Sequence, residues 1–583
     1  MKFTALLIAV VWSSLSAYAA KTKPNIVFIF TDDQDLRHGS LDHQKAVQKH
    51  LAAKGTVFTN HYTTVAVCCP SRVSLMRGQA AHNTNNTNIK APGGGYPKFV
   101  ASGENDDYLP HWLHKAGYNA EYVGKLFNGN SLLNYSPGPQ GWRHIDVLLD
   151  RYINTHNTVV MSTNGARPKI YRGFHQTDVV RIKARHIDAF AGSTVPRTPN
   201  FNPPDTYQKH KPGWLRGLPS LNCSQIEEID HLYQRRIEAL QSVDDIVEDV
   251  VEMLEDKGVL DNTYIIYSTD QGYHLGTHRH VGKLLSYIED TNIPLIVRGP
   301  GVKQGIVSRI PSTITDLAPT FLEISGLPKK HQPPFLDGAS LLEAWKNPSS
   351  RKLAEKKEAI NVEFWGTAFT ELKQWVDGDY APYFPGLYLE NDYKTMRYVG
   401  EKSSWMYSRW CTNDTELYNT LDDPYEFDNL VNSTDPHIQR VKSRLNALLL
   451  VTKSCAESTC REPWKVIPPP NLGHGKEIQT LDDALDAKYD KYYASFPPVN
   501  IDECLGYQFA PNEGPFFPPK ADQGLGLAYQ KSTDNFAYRE PEPVKELAQN
   551  DPLGGGWDQR RATLEDMLKK ARELTDDEIR NTE

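Results

Sequence analysis

Ala66–Gln79 reads AVCCPSRVSLMRGQ and sets two thiols, Cys68 and Cys69, ahead of Pro70, Ser71 and Arg72. Read alone, the pair fits a disulfide cysteine in a loop, with Arg72 in a salt bridge, as well as it fits chemistry at one sulfur. Acidic groups lie elsewhere. Asp32 and Asp33 follow the apolar run NIVFIF, and Asp270-Gln271 follows NTYIIYST. Oxygen donors on separate loops suit a hard cation such as Ca²⁺ or Mg²⁺. Aspartates at strand ends also serve turns and helix caps, so the Asp-Asp pair by itself stays open between the two readings. Lys125 and Lys283 each follow a glycine, and His274 and His278 stand between Asp270 and Lys283. A lone lysine is usually a solvated surface group, and a lone histidine is as often structural as functional.

The elements that must position these residues read as an α/β chain. NIVFIF (Asn25–Phe30) is a continuous β-branched and aromatic strand of the kind buried on both faces of a parallel sheet. A helical pattern follows around His43–Ala53, and SRVSLMRG can start another. The stretch DDYLPHWLHKAGYNAEYVGK reads as a helix stopped at Gly117 and a strand running into Gly124-Lys125. An amphipathic helix spans about Gln225–Lys257 and ends at Gly258. A second buried strand, then the strand NIPLIVRGPG and the helix ITDLAPTFLEISGL, complete the alternation. Alternating strands and helices imply a mainly parallel sheet between helices. Ligands in such sheets sit beyond the carboxyl ends of strands, where both acidic motifs lie.

Length and composition bound the rest. The chain has 583 residues, 39% hydrophobic and 23% charged, with a net charge of −8, which excludes a general affinity for nucleic acid. Residues 1–19 read as a removed signal peptide: Lys2, an apolar run from Phe3 to Trp12, then Ala17-Tyr18-Ala19. No other segment reads as transmembrane, so the expected mature protein is secreted, vacuolar or lysosomal, without a membrane anchor. Sequons at Asn85, Asn134, Asn222, Asn413 and Asn432 are glycosylation candidates on that route. The cysteines number seven, so at least one lacks an intramolecular partner; Cys455 and Cys460 could close a small loop. A catalytic domain is expected over 20–348, a smaller α+β subdomain over 349–460, with a helix from about Asp435 to Thr452, and a wrapping or partly disordered extension over 461–583. A helix is expected near Ala562–Leu574.

The order of these motifs resembles the type I sulfatase family. An apolar strand ending in Asp-Asp is followed by Cys68-x-Pro70-Ser71-Arg72 with Gly78. Then come Gly124-Lys125, Asp270-Gln271-Gly272, and Gly282-Lys283 with Pro294. The resemblance covers most of Pro24–Leu327 and returns weakly at ELYNTLDDPYEFDNL. Doubled CCPSR and SGENDDYLPHWLHKAGY are most similar to the N-acetylglucosamine-6-sulfatases, extracellular endosulfatases and secreted fungal-type arylsulfatases. The resemblance implies an alkaline-phosphatase-like sandwich and hydrolysis of aryl sulfates or sulfated sugars. It also implies that Cys68 is converted to formylglycine by dedicated machinery during secretion. The hydrated aldehyde is a geminal diol; one oxygen, held on the metal, attacks sulfur in line and the alcohol leaves. The second hydroxyl then collapses to the aldehyde and expels sulfate, a step a serine could not perform.

By the same resemblance Asp32, Asp33, Asp270 and Gln271, with the modified Cys68, match the ligands of one Ca²⁺, Mg²⁺ being the alternative. Gln271 departs from the commoner asparagine by one methylene. Arg72 would hold the formylglycine hydroxyl, and Lys125 and Lys283 would contact sulfate oxygens, Lys283 also serving the leaving oxygen. Asn128 stands where some members carry a sulfate-binding histidine. His274 and His278 are candidates for the pocket wall.

One family element is missing. A buried strand carrying a further catalytic histidine should lie between these motifs, yet Tyr171–Leu232 holds no apolar run long enough. TDVVRIKA passes abruptly into RHIDAFAGSTVPRTPNFNPPD, so a loss of roughly 30–50 residues, a strand with its connections, is expected near Ala184-Arg185. Such a loss would leave backbone groups of a central sheet unpaired. His186, close to the junction, is not expected to replace the missing histidine. Two rival readings follow: a phosphodiesterase or phosphonate hydrolase of the same superfamily, disfavoured by the few histidine ligands, and a catalytically impaired secreted glycan-binding protein.

Overall fold

The computed structural model describes residues 23–580 apart from 151, 154–157, 173–174, 177–180, 183–185, 377–378, 383–389, 471, 473–475 and 516–567. The leader 1–19 and the Ala184-Arg185 junction lie outside the described residues.

Five strands form the central sheet: β1 (Asn25–Thr31), β2 (Thr56–Tyr62), β3 (Thr263–Thr269), β4 (Asn292–Arg298) and β5 (Ile306–Ser308), with the short Ser312–Thr313 strand also on β2. Their order is β1-β3-β4-β2-β5. β1 and β3 run parallel from Asn25↔Thr263 to Thr31↔Thr269, so Asp32 and Asp270 leave the sheet side by side. β4 runs antiparallel to both neighbours, which makes the sheet mixed. Its Pro294 sits at a shift in register, the place where a strand tolerates a residue with no N–H.

Side chains alternate between two helical layers, as the two-residue period of a strand requires. Ile266, Leu295 and Val297 pack with α1 (Cys68–Arg77) and α3 (Leu317–Ser325). Ile265, Tyr267 and Ile296 pack with Val247, Val251 and Leu254 of α2 (Cys223–Asp256). Asn222 caps α2 through Gln225 in a reciprocal box, and Gly258 at φ 64° closes it, two residues beyond its last turn. The His43–Ala53 pattern forms a 3₁₀ turn at Ser40–His43 and a π-helical stretch at Val47–Ala52.

β1 corrects an expectation. β3 is buried along its whole length, but Ile26–Phe30 are only half-buried. Among the described residues no strand pairs with the other edge of β1. The Glu121–Gly124 strand, which leads to Lys125, pairs instead with His144–Leu148 in a separate sheet and leaves Val123 73% exposed. An apolar strand with an open edge is a liability in a soluble sheet.

The smaller subdomain is an antiparallel sheet, Ala359–Phe364, Tyr393–Val399, Ser404–Trp410 and Thr415–Asn419, covered by α4 (Pro436–Thr452). Trp464, Ile467, Tyr489, Tyr493 and Val499 join the core beneath α4, so the chain beyond Arg461 wraps this layer. Within the expected Ala562–Leu574 helix the described part is short: residues 568–570 are helical and Arg572–Glu573 is a strand on Lys169–Arg172. Disulfides join Cys411 to Cys504 and Cys455 to Cys460. Six cysteines besides Cys68 are candidates for pairing; only four pair, leaving buried Cys69 and exposed Cys223 as free thiols. Cys69 lies inside the helix–sheet core, with Asn86 Oδ1 at 3.7 Å from its sulfur. No helix among the described residues is long and apolar enough to cross a membrane.

Candidate active site

α1 starts at Cys68 because the extended Val67 delivers the chain into it, and it stops at Gly78. Gly78 has φ 62°, and a Cβ there would come within 2.7 Å of Leu336. Cys68 therefore occupies the first turn of a buried ten-residue helix, where free N–H groups favour negative charge. Gly272 is needed for closeness: a Cβ on it would lie 1.9 Å from the Glu289 carbonyl oxygen.

Around Cys68 the expected residues converge. Its Sγ lies 3.4 Å from Lys283 Nζ, 3.7 Å from Gln271 Nε2 and 4.0 Å from Asp33 Oδ1. Lys283 Nζ donates to Asp33 at 2.6 Å, and Lys125 Nζ donates to Asp32 at 2.6 Å. Arg72 Nε donates to Asp270 Oδ2 at 2.8 Å, and Arg72 lies 3.5 Å from Asp32. The Asp33 N–H donates to Asp270 Oδ1 at 3.0 Å, with Asp33 in the left-handed region at φ 58°. Three carboxylates thus meet three cations around Cys68, which is 5% exposed.

This packing shifts the titration of Cys68, Asp270, Asp32 and Lys283. Burial, and then the Asp32 charge, pushes the Cys68 thiol up to about 12, so the unmodified sulfur stays protonated at neutral pH. Burial and the neighbouring Asp32 charge raise Asp270 against the pull of Arg72. Desolvation opposes the charge on Asp32, but Lys125, Arg72 and Lys283 hold its carboxyl well below the usual range. Desolvation likewise opposes the charge on Lys283, yet Asp33 keeps it firmly protonated.

The donor set fits a hard divalent cation. Asp32, Asp33 and Asp270 supply carboxylate oxygens, and Gln271 Oε1 is buried without a hydrogen-bond partner. Asn128 is buried at 7% exposure, with its Oδ1 also unbonded. The two histidines take other partners. His274 Nδ1 lies 2.6 Å from Asp290 Oδ1, and His278 Nε2 lies 3.4 Å from Asn200 Nδ2; both rings are fully buried. His186 pairs with Asp245 at 2.9 Å, away from this cluster. Among the sequons, Asn222, Asn413 and Asn432 are exposed, Asn134 is half-buried and Asn85 is buried.

Arg236 and Tyr122 carry no signal in the reading by motif, and Ser71, although inside the Cys-x-Pro-Ser-Arg run, has a contact that the motif does not state. Arg236 of α2 donates to the Asp33 carbonyl and lies 4.0 Å over the Tyr273 ring. Ser71 Oγ donates to the Asp270 carbonyl at 2.6 Å, tying α1 to β3. Tyr122 hydroxyl and Arg72 both donate to the Lys125 carbonyl, fixing the start of that loop. The helical face of α2 shows which side is apolar, but not which arginine reaches across it.

Comparison with known proteins points to one family. The sulfatase family profile matches residues 24–145 and 149–327. An arylsulfatase of Volvox carteri is 35% identical over 567 residues, covering 86% of this chain and 85% of that protein. The human N-acetylglucosamine-6-sulfatase is 28% identical, covering 79% and 90%. A solved structure of a protein in complex with its substrate D-glucosamine-2-N,6-O-disulfate shares the fold, with TM-score 0.57, 18% identity, and 74% and 98% coverage. The chain belongs to the type I sulfatase family and is a sulfuric ester hydrolase of the formylglycine-dependent kind.

Proposed function

We propose that the chain hydrolyses sulfate monoesters of phenols or sugars at Cys68, with Ca²⁺ held by Asp32, Asp33, Asp270 and Gln271. The observation that carries this is Cys68 Sγ within 4.0 Å of Lys283 Nζ, Gln271 Nε2 and Asp33 Oδ1 at the start of α1. As formylglycine hydrate, Cys68 supplies one oxygen to displace the alcohol from sulfur and a second to expel sulfate as the aldehyde re-forms. The cation supplies Lewis acidity and offsets the carboxylate charge. Arg72 is held rigid by Asp270 and the Lys125 carbonyl, so its guanidinium orients the hydroxyl at residue 68. Lys125 and Lys283 bind the sulfate oxygens, and Lys283 Nζ, the nearer to Sγ, delivers a proton to the departing oxygen.

Sulfated sugars are favoured as substrates by the named activity of the human relative and the ligand of the solved structure. The expected secretion, with conversion of Cys68 during export, is supported by the 1–19 leader and by two disulfides, which persist in oxidising compartments. Mass spectrometry of the tryptic peptide ending at Arg72 tests the proposal. Exchange of the thiol for an aldehyde lowers its mass by about 18 Da. An unmodified peptide in protein that turns over aryl sulfate would sink it.

A further inference from the structure

A cavity of about 590 Å³ lies where the Thr64 end of β2, the Ala359–Phe364 strand and the chain beyond α4 meet. None of the residues placed at the sulfate site lines it. Its wall carries polar atoms that the fold leaves unbonded. Thr64 and Thr452 are 5% and 2% exposed, and neither Oγ1 has a hydrogen-bond partner. Asn361 presents both its Oδ1 and Nδ2 unbonded. A buried polar group left unmet is destabilising, so three such side chains in one cavity point to a hydroxyl-bearing occupant.

The charges are equally selective. Six acids line it and each is already engaged: Asp316 by Lys357, Glu355 by Arg351 and Glu462 by Lys465, while Asp337 accepts from the Ala80 and Glu457 N–H groups, Glu358 from the Tyr398 hydroxyl and Glu477 from the Gln479 amide. Lys352, Lys356 and Arg461 line the same cavity with no carboxylate partner among the described residues. Trp464 and Ile478 add an apolar wall. A bare anion would use the cations and leave the amide unmet; an apolar ligand would leave both unmet. The volume is in the range of small-molecule sites, about 300–1,000 Å³.

We propose that this cavity is a second saccharide site, separate from the sulfate site, that takes an anionic sugar unit, sulfated or carboxylated. Asn361, Thr64 and Thr452 bind its hydroxyls, and Lys352, Lys356 and Arg461 bind its acidic group. The assignment holds whether or not Cys68 performs the reaction above.

Calorimetric titration of full-length Cys68→Ala protein tests it, with glucose 6-sulfate, glucuronate, glucose and inorganic sulfate as separate probes. Glucose 6-sulfate or glucuronate should bind at least about tenfold more tightly than glucose or sulfate, a difference of about 1.4 kcal/mol. Which of the two binds tells a sulfated from a carboxylated ligand. The exposed pair Lys352→Ala/Lys356→Ala, and separately Asn361→Ala, should each remove this binding. In the Cys68-intact background both variants should leave aryl sulfate turnover unchanged. Glucose 6-sulfate should bind at two sites, reduced to one by either variant. If the sulfate site fails to bind it, the count falls from one to zero instead, which separates failure there from failure here. Heats unaffected by both variants would overturn the proposal, and so would inorganic sulfate or neutral glucose matching glucose 6-sulfate and glucuronate in the heat that the variants remove.

Discussion

Cys68 and Lys283 share a sulfur–nitrogen distance of 3.4 Å, and both can be tested singly. Cys68→Ser keeps one hydroxyl and loses the second. The expected outcome is a single sulfuryl transfer with no release, read as a gain of about 80 Da on the Arg72 peptide after substrate, without turnover. Lys283→Ala should lower kcat by about 10²–10³, the usual loss when one charged donor is removed from a developing charge, measured on an aryl sulfate. The same position shows how far residue types carry: Asp-Asp, Cys-x-Pro-Ser-Arg and Gly-Lys are legible because each is a local run. Arg236 is not legible, because its role depends on α2 crossing β1 some 200 residues away, which no local run records.

The short Ala81–Thr84 helix is bound to the subdomain through a buried ionic network. His82 Nδ1 lies 2.8 Å from Glu363 Oε1, and Lys394 Nζ lies 3.0 Å from Glu363 Oε2. Burial alone would raise Glu363, but His82 and Lys394 bring its carboxyl down to about 2. Burial alone would lower His82, yet Glu363 raises it above its ordinary value. The stability from Glu363 is therefore present above its unfolded value and lost as pH falls toward about 2. That from His82 is present below its unfolded value of about 6.5 and lost as pH rises through the raised folded one. His82→Ala should cost about 3–5 kcal/mol near pH 5–6, by denaturant unfolding, with a smaller penalty in alkaline solution. A pH-independent penalty would mean that packing alone is lost. At this scale the α2 and α4 bounds expected from the sequence, with Gly258 as the stop of α2, lie within two residues of the observed ones. The burial of β1 was not legible, because an apolar strand looks the same whether or not a neighbour covers its second edge.

The open edge of β1 is a property of the whole molecule. It coincides with the abrupt passage from TDVVRIKA to RHIDAFAGS, the half-burial of Ile26–Phe30 and the exposure of Val123. The expected outcome of sequencing the native transcript across Ala184-Arg185 is an additional coding segment of roughly 30–50 residues containing an apolar strand. An uninterrupted transcript encoding active secreted enzyme would falsify that. The chain as it stands should expose hydrophobic dye-binding surface and unfold at lower temperature than the longer form, because among the described residues the β1 edge of its central sheet is unpaired.

Sequence alone made the chemistry legible through the order of its motifs: a cysteine two positions before Pro-Ser-Arg, acids after apolar strands and lysines after glycines are each ambiguous singly and resemble one family together. Local chemistry of that kind survives without knowledge of the fold. Only the tertiary structure decided which acid meets which cation, that Cys69 stays a free thiol, that His274 and His278 turn to Asp290 and Asn200, and that β1 stands at an edge. Those outcomes depend on packing between segments as far apart as Asp33 and Lys283, and on which polar groups burial leaves without any other partner.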